Sequence, residues 1–333
     1  MQVPAECFVL NEKERPLLCH ARQIGSRAKA LLAQPGFSGK VLAVLSTTVY
    51  LVSREGEILW MSQEDLPMHR RCILASFRPR SIRLGENFYV QGPFLRISDE
   101  VMLDLDPATE WKPPDVGPEH PTPLTVVRPC VRRLVESATN LENPKGFGQM
   151  IPLIWSLVEG NRRAISHADP LPAEVCNSIL DLAIACLTFN MAEVARKGRE
   201  LIGLGPGLTP SGDDFLGGLL FAAHSLKTAY PQDANWEEEP VMDLINWAST
   251  QTHPISRAIL SDHAFGHGPK PLHDVVVSLL KGQDPDRTFE GAKRLIEIGD
   301  TSGWDILAGM LTGMLLVEGK REEKVKDTNG GKR

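Results

Sequence analysis

The sequence lacks any uninterrupted apolar stretch of the length that crosses a membrane. Its net charge of −6 and the absence of a dense basic run before the C-terminal residues argue against a nucleic-acid-binding surface. Residues 1–18 contain three glutamates but no long apolar core, so they do not predict a signal peptide. We therefore expect a cytoplasmic protein whose partners include neither nucleic acid nor a membrane.

The six cysteines include no CxxC pair, and they are scattered along the chain. This spacing argues against a disulfide framework or a zinc site and favours buried thiols in a reducing cytoplasm. The chain also has no GxSxG motif, so a hydrolase with a serine nucleophile elbow is not indicated.

The 333 residues exceed what one core usually holds, so two domains are expected. Successive β-rich runs and turn residues predict an N-terminal β-rich domain over residues 1–106, barrel-like or sandwich-like. One helix is predicted within residues 19–34, before the sheet. The fold class indicated is α+β, with an all-helical domain following the β-rich one.

Seven prolines lie from Pro107 to Pro129. Because proline is disfavoured inside helices and central strands, residues 107–129 are predicted to form a connection. Beyond it the hydrophobic period is about 3.6, which predicts a helical domain over residues 130–318. The charged residues 319–333 lack apolar anchors and predict a disordered tail.

The stretch GLGPGLTPSGDDFLGGLL, residues 203–220, places many glycines and two adjacent carboxylates directly before an apolar run. Glycine accepts positive φ and lets bare backbone approach a ligand. A glycine-rich loop that leads into a helix N-terminus favours anions, because unpaired N–H groups and the helix dipole attract negative charge. The loop lacks the lysine of a P-loop and follows no βαβ strand, so a nucleotide site is not indicated.

A second copy of part of this motif, SGWDILAGML, begins at Ser302. In each copy the serine is positioned as an N-cap, and the aspartate three residues later predicts a variant of the capping box. Small residues one turn apart, Gly218 with Ala222 and Gly309 with Gly313, predict that the two helices cross closely. Their N-termini would then lie near one another and build one site.

Capping does not account for Asp213 or the glycines. Carboxylates beside a bound anion would repel it unless a cation or a substrate N–H group stood between them. Two solutions remain open at this point. A substrate could bring both anionic oxygens and an NH₂ group, or a divalent cation such as Mg²⁺ could be held by the aspartates of both motifs.

The candidate catalytic residues are Asp213, Asp214 and Asp305. The candidate substrate-binding residues are Gly205, Gly207, Thr209, Ser211, Gly212, Thr301, Ser302 and Gly303. Among the histidines, His253 before Pro254 is the most suggestive of a pocket, whereas glycines and a proline break any helix that would pair His263 with His267 for zinc. Arg257 opens a predicted helix and is expected at the solvated surface.

The two motifs together resemble the AllH family over roughly residues 128–318. The namesake protein, in bacteria that degrade allantoin, is implicated as one subunit of an oxamate carbamoyltransferase. The resemblance therefore implies a reaction of oxalurate with phosphate to give oxamate and carbamoyl phosphate, with companion subunits and a small anionic substrate as partners. The residues themselves leave two further functions open: a metal-dependent hydrolase using the three aspartates, and a non-catalytic partner or sensor that binds a small anion.

Overall fold

The computed structural model describes residues 16–114, 122–141, 143–161, 171–234 and 238–319. These residues form two compact units, which meet in sequence between Pro114 and Asp115. The first unit is a β-barrel and the second is helical, so the predicted α+β class and the order of its parts are confirmed.

The barrel is built from eight strands, and a ninth strand adds to one of them. The strands are β1 Leu17–Gly25, β2 Ser38–Val44, β3 Thr48–Ser53, β4 Ile58–Ser62, β5 Cys72–Ala75, β6 Asn87–Gln91, β7 Phe94–Ile97, β8 Val101–Asp104 and β9 Thr109–Trp111. Their order is β5-β4-β3-β2-β6-β7-β8-β1, and antiparallel pairing of β1 with β5 closes the barrel. Closure removes the exposed edges that an open sheet of this size would present.

Three of the strand pairs are parallel: β1 with β8, β1 with β9, and β4 with β5. Side chains that alternate along the strands fill the barrel interior, and Leu51, Leu59, Ile73 and Leu95 are fully buried there. Period-two alternation thus supplies one continuous apolar core for this unit.

The predicted helix within residues 19–34 is partly wrong. Residues Leu17–Gly25 form strand β1, and helix α1 covers only Ser26–Leu32. A strand forms there because pairing with β5, β8 and β9 satisfies the hydrogen-bonding groups of its backbone, whereas an isolated short helix is only marginally stable. The change from strand to helix falls at Gly25, where a Cβ would lie 2.3 Å from the carbonyl oxygen of His69.

The helical unit contains α2 Leu124–Thr139, α3 Ile151–Ser156, α4 Ala173–Leu187, α5 Met191–Gly198, α6 Ser211–Ala229, α7 Glu239–Ala248, α8 Pro254–Ala264, α9 Lys270–Leu280, α10 Pro285–Ile296 and α11 Ser302–Gly313. Short 3₁₀ helices cover Gly146–Met150 and Met314–Val317.

Ordered elements extend into the predicted connection from both sides. Strand β9, Thr109–Trp111, lies inside it, and helix α2 begins inside it at Leu124. Pro129 lies inside α2, contrary to the expectation that it would stand outside helices. Val127, Val131 and other apolar residues of α2 are buried, and this packing offsets the cost of the proline. Residues 115–121 of the connection and the predicted tail beyond Gly319 lie outside the described residues.

Helices α6 and α11 form the centre of the helical unit. Apolar residues on every side of both helices are buried, as expected for helices enclosed by others. A Cβ on Gly309 would lie 1.8 Å from the carbonyl oxygen of Phe215, and one on Gly218 would lie 2.1 Å from that of Ile306. The predicted close crossing is therefore confirmed, and the glycines permit it.

We expect Gly309→Ala to destabilise the protein by about 1–3 kcal/mol or more, because the new methyl group would overlap a helix backbone that cannot move aside. Gly198→Ala is the matched control in another helix. The nearest atoms to its Cβ would be leucine methyl groups at 3.1 Å, which can adjust. Urea unfolding of both variants measures the difference, and equal stability of the two would contradict the crossing as described.

Candidate functional site

The loop that leads into α6 owes its course to three glycines with positive φ: Gly203 at 76°, Gly205 at 118° and Gly207 at 96°. A Cβ on Gly203 would lie 2.6 Å from the Gln251 carbonyl oxygen, and one on Gly205 would lie 2.9 Å from the Ser211 nitrogen. A Cβ on Gly207 would meet no atom within 4 Å. Gly203 therefore permits packing of the loop against Gln251, Gly205 permits the turn towards Ser211, and Gly207 presents open backbone.

The predicted capping boxes are wrong. Pro210 and Thr301 occupy the N-cap positions of α6 and α11, and neither makes a side-chain cap hydrogen bond. Ser211 and Ser302 are instead the first residues inside their helices. The aspartates three positions later then lie one residue too deep in the helix to complete a capping box.

Hydroxyl groups of the two motifs pair with each other across the helix crossing. The Thr209 and Ser302 oxygens lie 3.1 Å apart, and the Ser211 and Thr301 oxygens lie 3.4 Å apart. All four residues are half-buried. We call these four residues, Thr209, Ser211, Thr301 and Ser302, the hydroxyl face. The two motifs thus contribute to a single polar surface.

Gly212 and Gly303 are equivalent in the two motifs and have a packing role. A Cβ at these positions would lie 1.9 Å from the Leu201 oxygen and 2.0 Å from the Leu295 oxygen, respectively. The Gly212 N–H donates to the Leu204 carbonyl, and the Gly303 N–H donates to the Ile298 carbonyl, both at 2.9 Å. These N–H groups are engaged within the chain, so the arrangement gives no support to their predicted contact with substrate.

Asp214 and Asp305 are buried behind the hydroxyl face, with 4% and 0% of their surfaces exposed. Asp305 Oδ1 accepts a hydrogen bond of 2.6 Å from the Phe147 N–H. Within the described part of the chain, Asp214 Oδ2 and Asp305 Oδ2 have no hydrogen-bond partner. Buried carboxylate oxygens of this kind require a proton, a ligand or a solvent molecule to offset their desolvation.

Burial raises the pKa of Asp214 well above its usual range, and the charges of Asp305 and Asp213 raise it further. The hydroxyls of Ser302 and Thr209 oppose that shift. Burial also raises the pKa of Asp305, against the Phe147 N–H and the hydroxyls of Ser211 and Thr301. The association is reciprocal, because each carboxyl interacts with a hydroxyl of the other motif.

Asp213 has a different environment, although it is equally buried. Its Oδ1 accepts the Gly203 N–H at 2.7 Å, and its Oδ2 accepts the hydroxyls of Ser256, at 2.6 Å, and Thr252. The carboxylate therefore fixes the start of the glycine loop to the beginning of α8. These hydrogen bonds account for a carboxylate in a buried position without any contact to a ligand.

The three aspartates do not form the predicted metal site. In the described ranges, no group of three or more His, Cys, Asp or Glu side chains is placed to hold a metal ion. Both oxygens of Asp213 already accept hydrogen bonds from the protein. The metal-dependent hydrolase considered from the sequence therefore lacks its proposed ligand set. Separately, no disulfide joins the cysteines of the described part of the chain.

The histidines have structural positions. His253 is the N-cap of α8, and its Nδ1 accepts the Ile255 N–H at 3.2 Å. His263 and His273 are buried against the ring of Phe221. Burial lowers the pKa of His273 to about 4. Arg257 is exposed, as expected.

Sequence reasoning missed three groups that shape the site: the Phe147 N–H, Thr252 and Ser256. The signal for Phe147 was its position between two glycines. A Cβ on Gly146 would lie 2.3 Å from Asp305 Oδ1, and one on Gly148 would lie 2.6 Å from the Trp304 ring. Thr252 and Ser256 carry no comparable signal, since they approach Asp213 only through the fold.

The fold and site define a class: a protein with a β-barrel unit and a helical unit, in which two similar helix N-termini share one polar surface. Residues 201–314 match the model of the AllH family, described as oxamate carbamoyltransferase subunit AllH. The match contains both motifs, so the resemblance inferred from the sequence is confirmed over these residues. No solved structure matches the chain. Within the described residues, no helix is long and apolar enough to span a membrane.

We expect Asp214→Asn to stabilise the unliganded protein at pH 7 by about 1–3 kcal/mol, the usual cost of an uncompensated buried polar group. Because the folded-state pKa of Asp214 is raised, wild-type stability falls as the pH rises through that pKa. The advantage of the variant should therefore grow with pH and vanish in acid.

The matched control is Asp213→Asn, which alters the neighbouring carboxylate. It should destabilise the protein by about 1–3 kcal/mol, because Asp213 accepts hydrogen bonds from three donors. Thermal unfolding across pH 4–8 measures both variants. Destabilisation of equal size in both would contradict the distinction between the two aspartates.

The buried His273 predicts acid sensitivity. Its folded-state pKa of about 4 lies below the ordinary value of 6.5, so its contribution is complete above pH 6.5 and is lost as the pH falls towards 4. The difference corresponds to about 3 kcal/mol. Chemical unfolding of wild type and His273→Gln at pH 7 and pH 4.5 tests this, and the variant should lose less stability on acidification. An equal loss would assign the acid sensitivity to other groups.

Proposed function

We propose that the chain is a subunit of an oxamate carbamoyltransferase and that the hydroxyl face is its site for a small anionic substrate. The observation that carries this proposal is the position of the family match, which spans both motifs and therefore the whole hydroxyl face. The site lies at two helix N-termini, each equivalent to about half a positive charge. Open backbone at Gly207 and four hydroxyl groups add hydrogen-bonding capacity beside them.

The proposed reaction of oxalurate with phosphate needs no oxidant or reductant. A phosphate oxygen attacks the terminal carbonyl carbon of oxalurate, and a carbon–oxygen bond forms. The bond between that carbon and the bridging nitrogen then breaks. The nitrogen leaves with the electron pair and takes the proton released by phosphate, so the products are carbamoyl phosphate and oxamate.

This reaction requires a site that holds oxyanions and amide groups at the same time. Hydroxyls suit both, because each can donate one hydrogen bond and accept others. Asp214 and Asp305 lie directly behind them and supply proton acceptors or donors according to their protonation state. Asp213 fixes the loop and is not assigned a part in the reaction.

A ligand that binds the hydroxyl face should stabilise the folded protein. At about 100 times its dissociation constant, the expected gain is roughly 2.7 kcal/mol. Thermal unfolding of the full chain with phosphate, oxamate or carbamoyl phosphate measures this effect. Thr209→Val should weaken it, since a hydroxyl of the face is lost.

The matched control is Thr228→Val, in the last turn of α6. The Thr228 hydroxyl donates to the His224 carbonyl, far along α6 from the hydroxyl face. The control should retain the full ligand-induced stabilisation. If none of the three ligands raises the unfolding temperature of the wild type, the anion site is refuted.

The companion subunits follow from the description of the matched family as a subunit. Turnover assays of the full chain, alone and with the products of neighbouring genes, separate a catalytic subunit from an anion-binding partner. We expect turnover of oxamate and carbamoyl phosphate only when the companions are present, and its loss in Thr209→Val. Full activity of a complex that lacks this chain would overturn its assignment as a required subunit.

A further inference from the structure

Each buried carboxyl stands behind two hydroxyls that contact each other. Asp214 is associated with Thr209 and Ser302, whose oxygens are 3.1 Å apart. Asp305 is associated with Ser211 and Thr301, whose oxygens are 3.4 Å apart. In both hydroxyl pairs, either atom can be the donor. The direction of the hydrogen bonds is therefore set by what lies behind them.

An ionised carboxylate can only accept hydrogen bonds, whereas a protonated one can donate. Behind an ionised carboxylate, a hydroxyl pair turns its protons inwards and offers lone pairs to a ligand. Behind a protonated carboxyl, the pair receives a proton from within and turns a hydroxyl proton towards the ligand. The state of each carboxyl thus decides whether its half of the face accepts or donates.

Asp214 and Asp305 are both buried, and the charge of Asp305 raises the pKa of Asp214, so ionising both carries a large electrostatic cost. The charged groups that act on Asp214 are Asp305, on the helix packed against it, and Asp213, on its own helix. All are acidic, so nothing in this set compensates for a second negative charge. In the described part of the chain, Asp214 Oδ2 and Asp305 Oδ2 have no hydrogen-bond partner, so neither carboxyl is fully compensated in its ionised form.

We propose that Asp214 and Asp305 together retain one proton, so that one half of the hydroxyl face donates hydrogen bonds to the ligand and the other half accepts them. The complementary ligand group has an oxygen at one edge and an NH₂ at the other, as a carbamoyl group or a primary amide does. Asp214 and Asp305 are then positioning residues that set specificity through the hydroxyls. This inference rests on the proposed function and adds the feature of the substrate that is recognised.

The surroundings of the two carboxyls indicate which half of the hydroxyl face donates hydrogen bonds and which half accepts them. Asp305 Oδ1 accepts the Phe147 N–H at 2.6 Å, whereas no backbone N–H of the described residues donates to the Asp214 carboxyl. Asp214 therefore holds the proton, and Thr209 with Ser302 donates to the ligand oxygen. Asp305 is the ionised partner, and Ser211 with Thr301 accepts from the ligand NH₂.

Two pairs of ligands that differ only by NH₂ against CH₃ test this assignment: oxamate against pyruvate, and carbamoyl phosphate against acetyl phosphate. Calorimetric titration of the full chain should show that the NH₂ member of each pair binds at least about tenfold more tightly. Asp305→Asn should reduce this ratio to near one. Asp214→Asn should preserve it, because an asparagine NH₂ donates as the protonated carboxyl does.

Thr301→Val provides a second test that leaves both carboxyls in place. It removes a hydroxyl from the accepting half and should also abolish the preference. Asp286→Asn, at an exposed position in α10, is the control and should leave the ratio unchanged. Circular dichroism of each variant verifies that it is folded before binding is compared.

The outcomes separate this inference from the proposed function. If the wild type binds both members of each pair equally, the inference is overturned while the anion site stands. The inference would also be overturned if Asp214→Asn lost the preference for the NH₂ ligand while Asp305→Asn kept it. If no ligand binds, both proposals fail. Stabilisation by Mg²⁺ or K⁺ alone that both aspartate variants lose would assign the buried oxygens to a cation and refute the proton-sharing arrangement.

Discussion

The backbone contact between α6 and α11 is the constraint on which the rest of the helical unit depends. Gly218 and Gly309 bring each helix against a carbonyl oxygen of the other, and no residue with a side chain could occupy either position at this separation. The contact places the N-termini of both helices side by side. It thereby brings Ser211 beside Thr301, ninety residues further along the chain.

Close crossing also explains why the site carries buried acids. Two helix N-termini that share one surface place about one full positive charge there, because each contributes about half a charge. Carboxylates in the first turns balance this charge, and Asp214 and Asp305 occupy those turns. Burial then makes full ionisation of both unfavourable, which leaves a site whose charge depends on protons and ligands.

Two adjacent aspartates of one helix perform different tasks because they point into different surroundings. Asp213 meets three donors and fixes the glycine loop to α8. Asp214, one residue further and turned by about 100° around the helix axis, reaches the hydroxyl face instead. The segment SGDD thus contains one aspartate that supports the loop and one that lies behind the hydroxyl face.

The sequence alone determined the class of fold, the glycine loop and the pairing of the two motifs, since these follow from periodicity, composition and internal similarity. It also indicated the helix crossing, because glycine inside a helix needs a packing reason. It did not separate strand β1 from the helix predicted there, because strand pairing with β5, β8 and β9 is a long-range effect. It misplaced the caps by one residue for a related reason: Pro210 and Thr301 are selected by the path of the preceding loop. Only the tertiary structure decided which carboxylate oxygens accept hydrogen bonds and which, among the described residues, have no partner, because Phe147, Thr252 and Ser256 reach these carboxylates from distant parts of the chain.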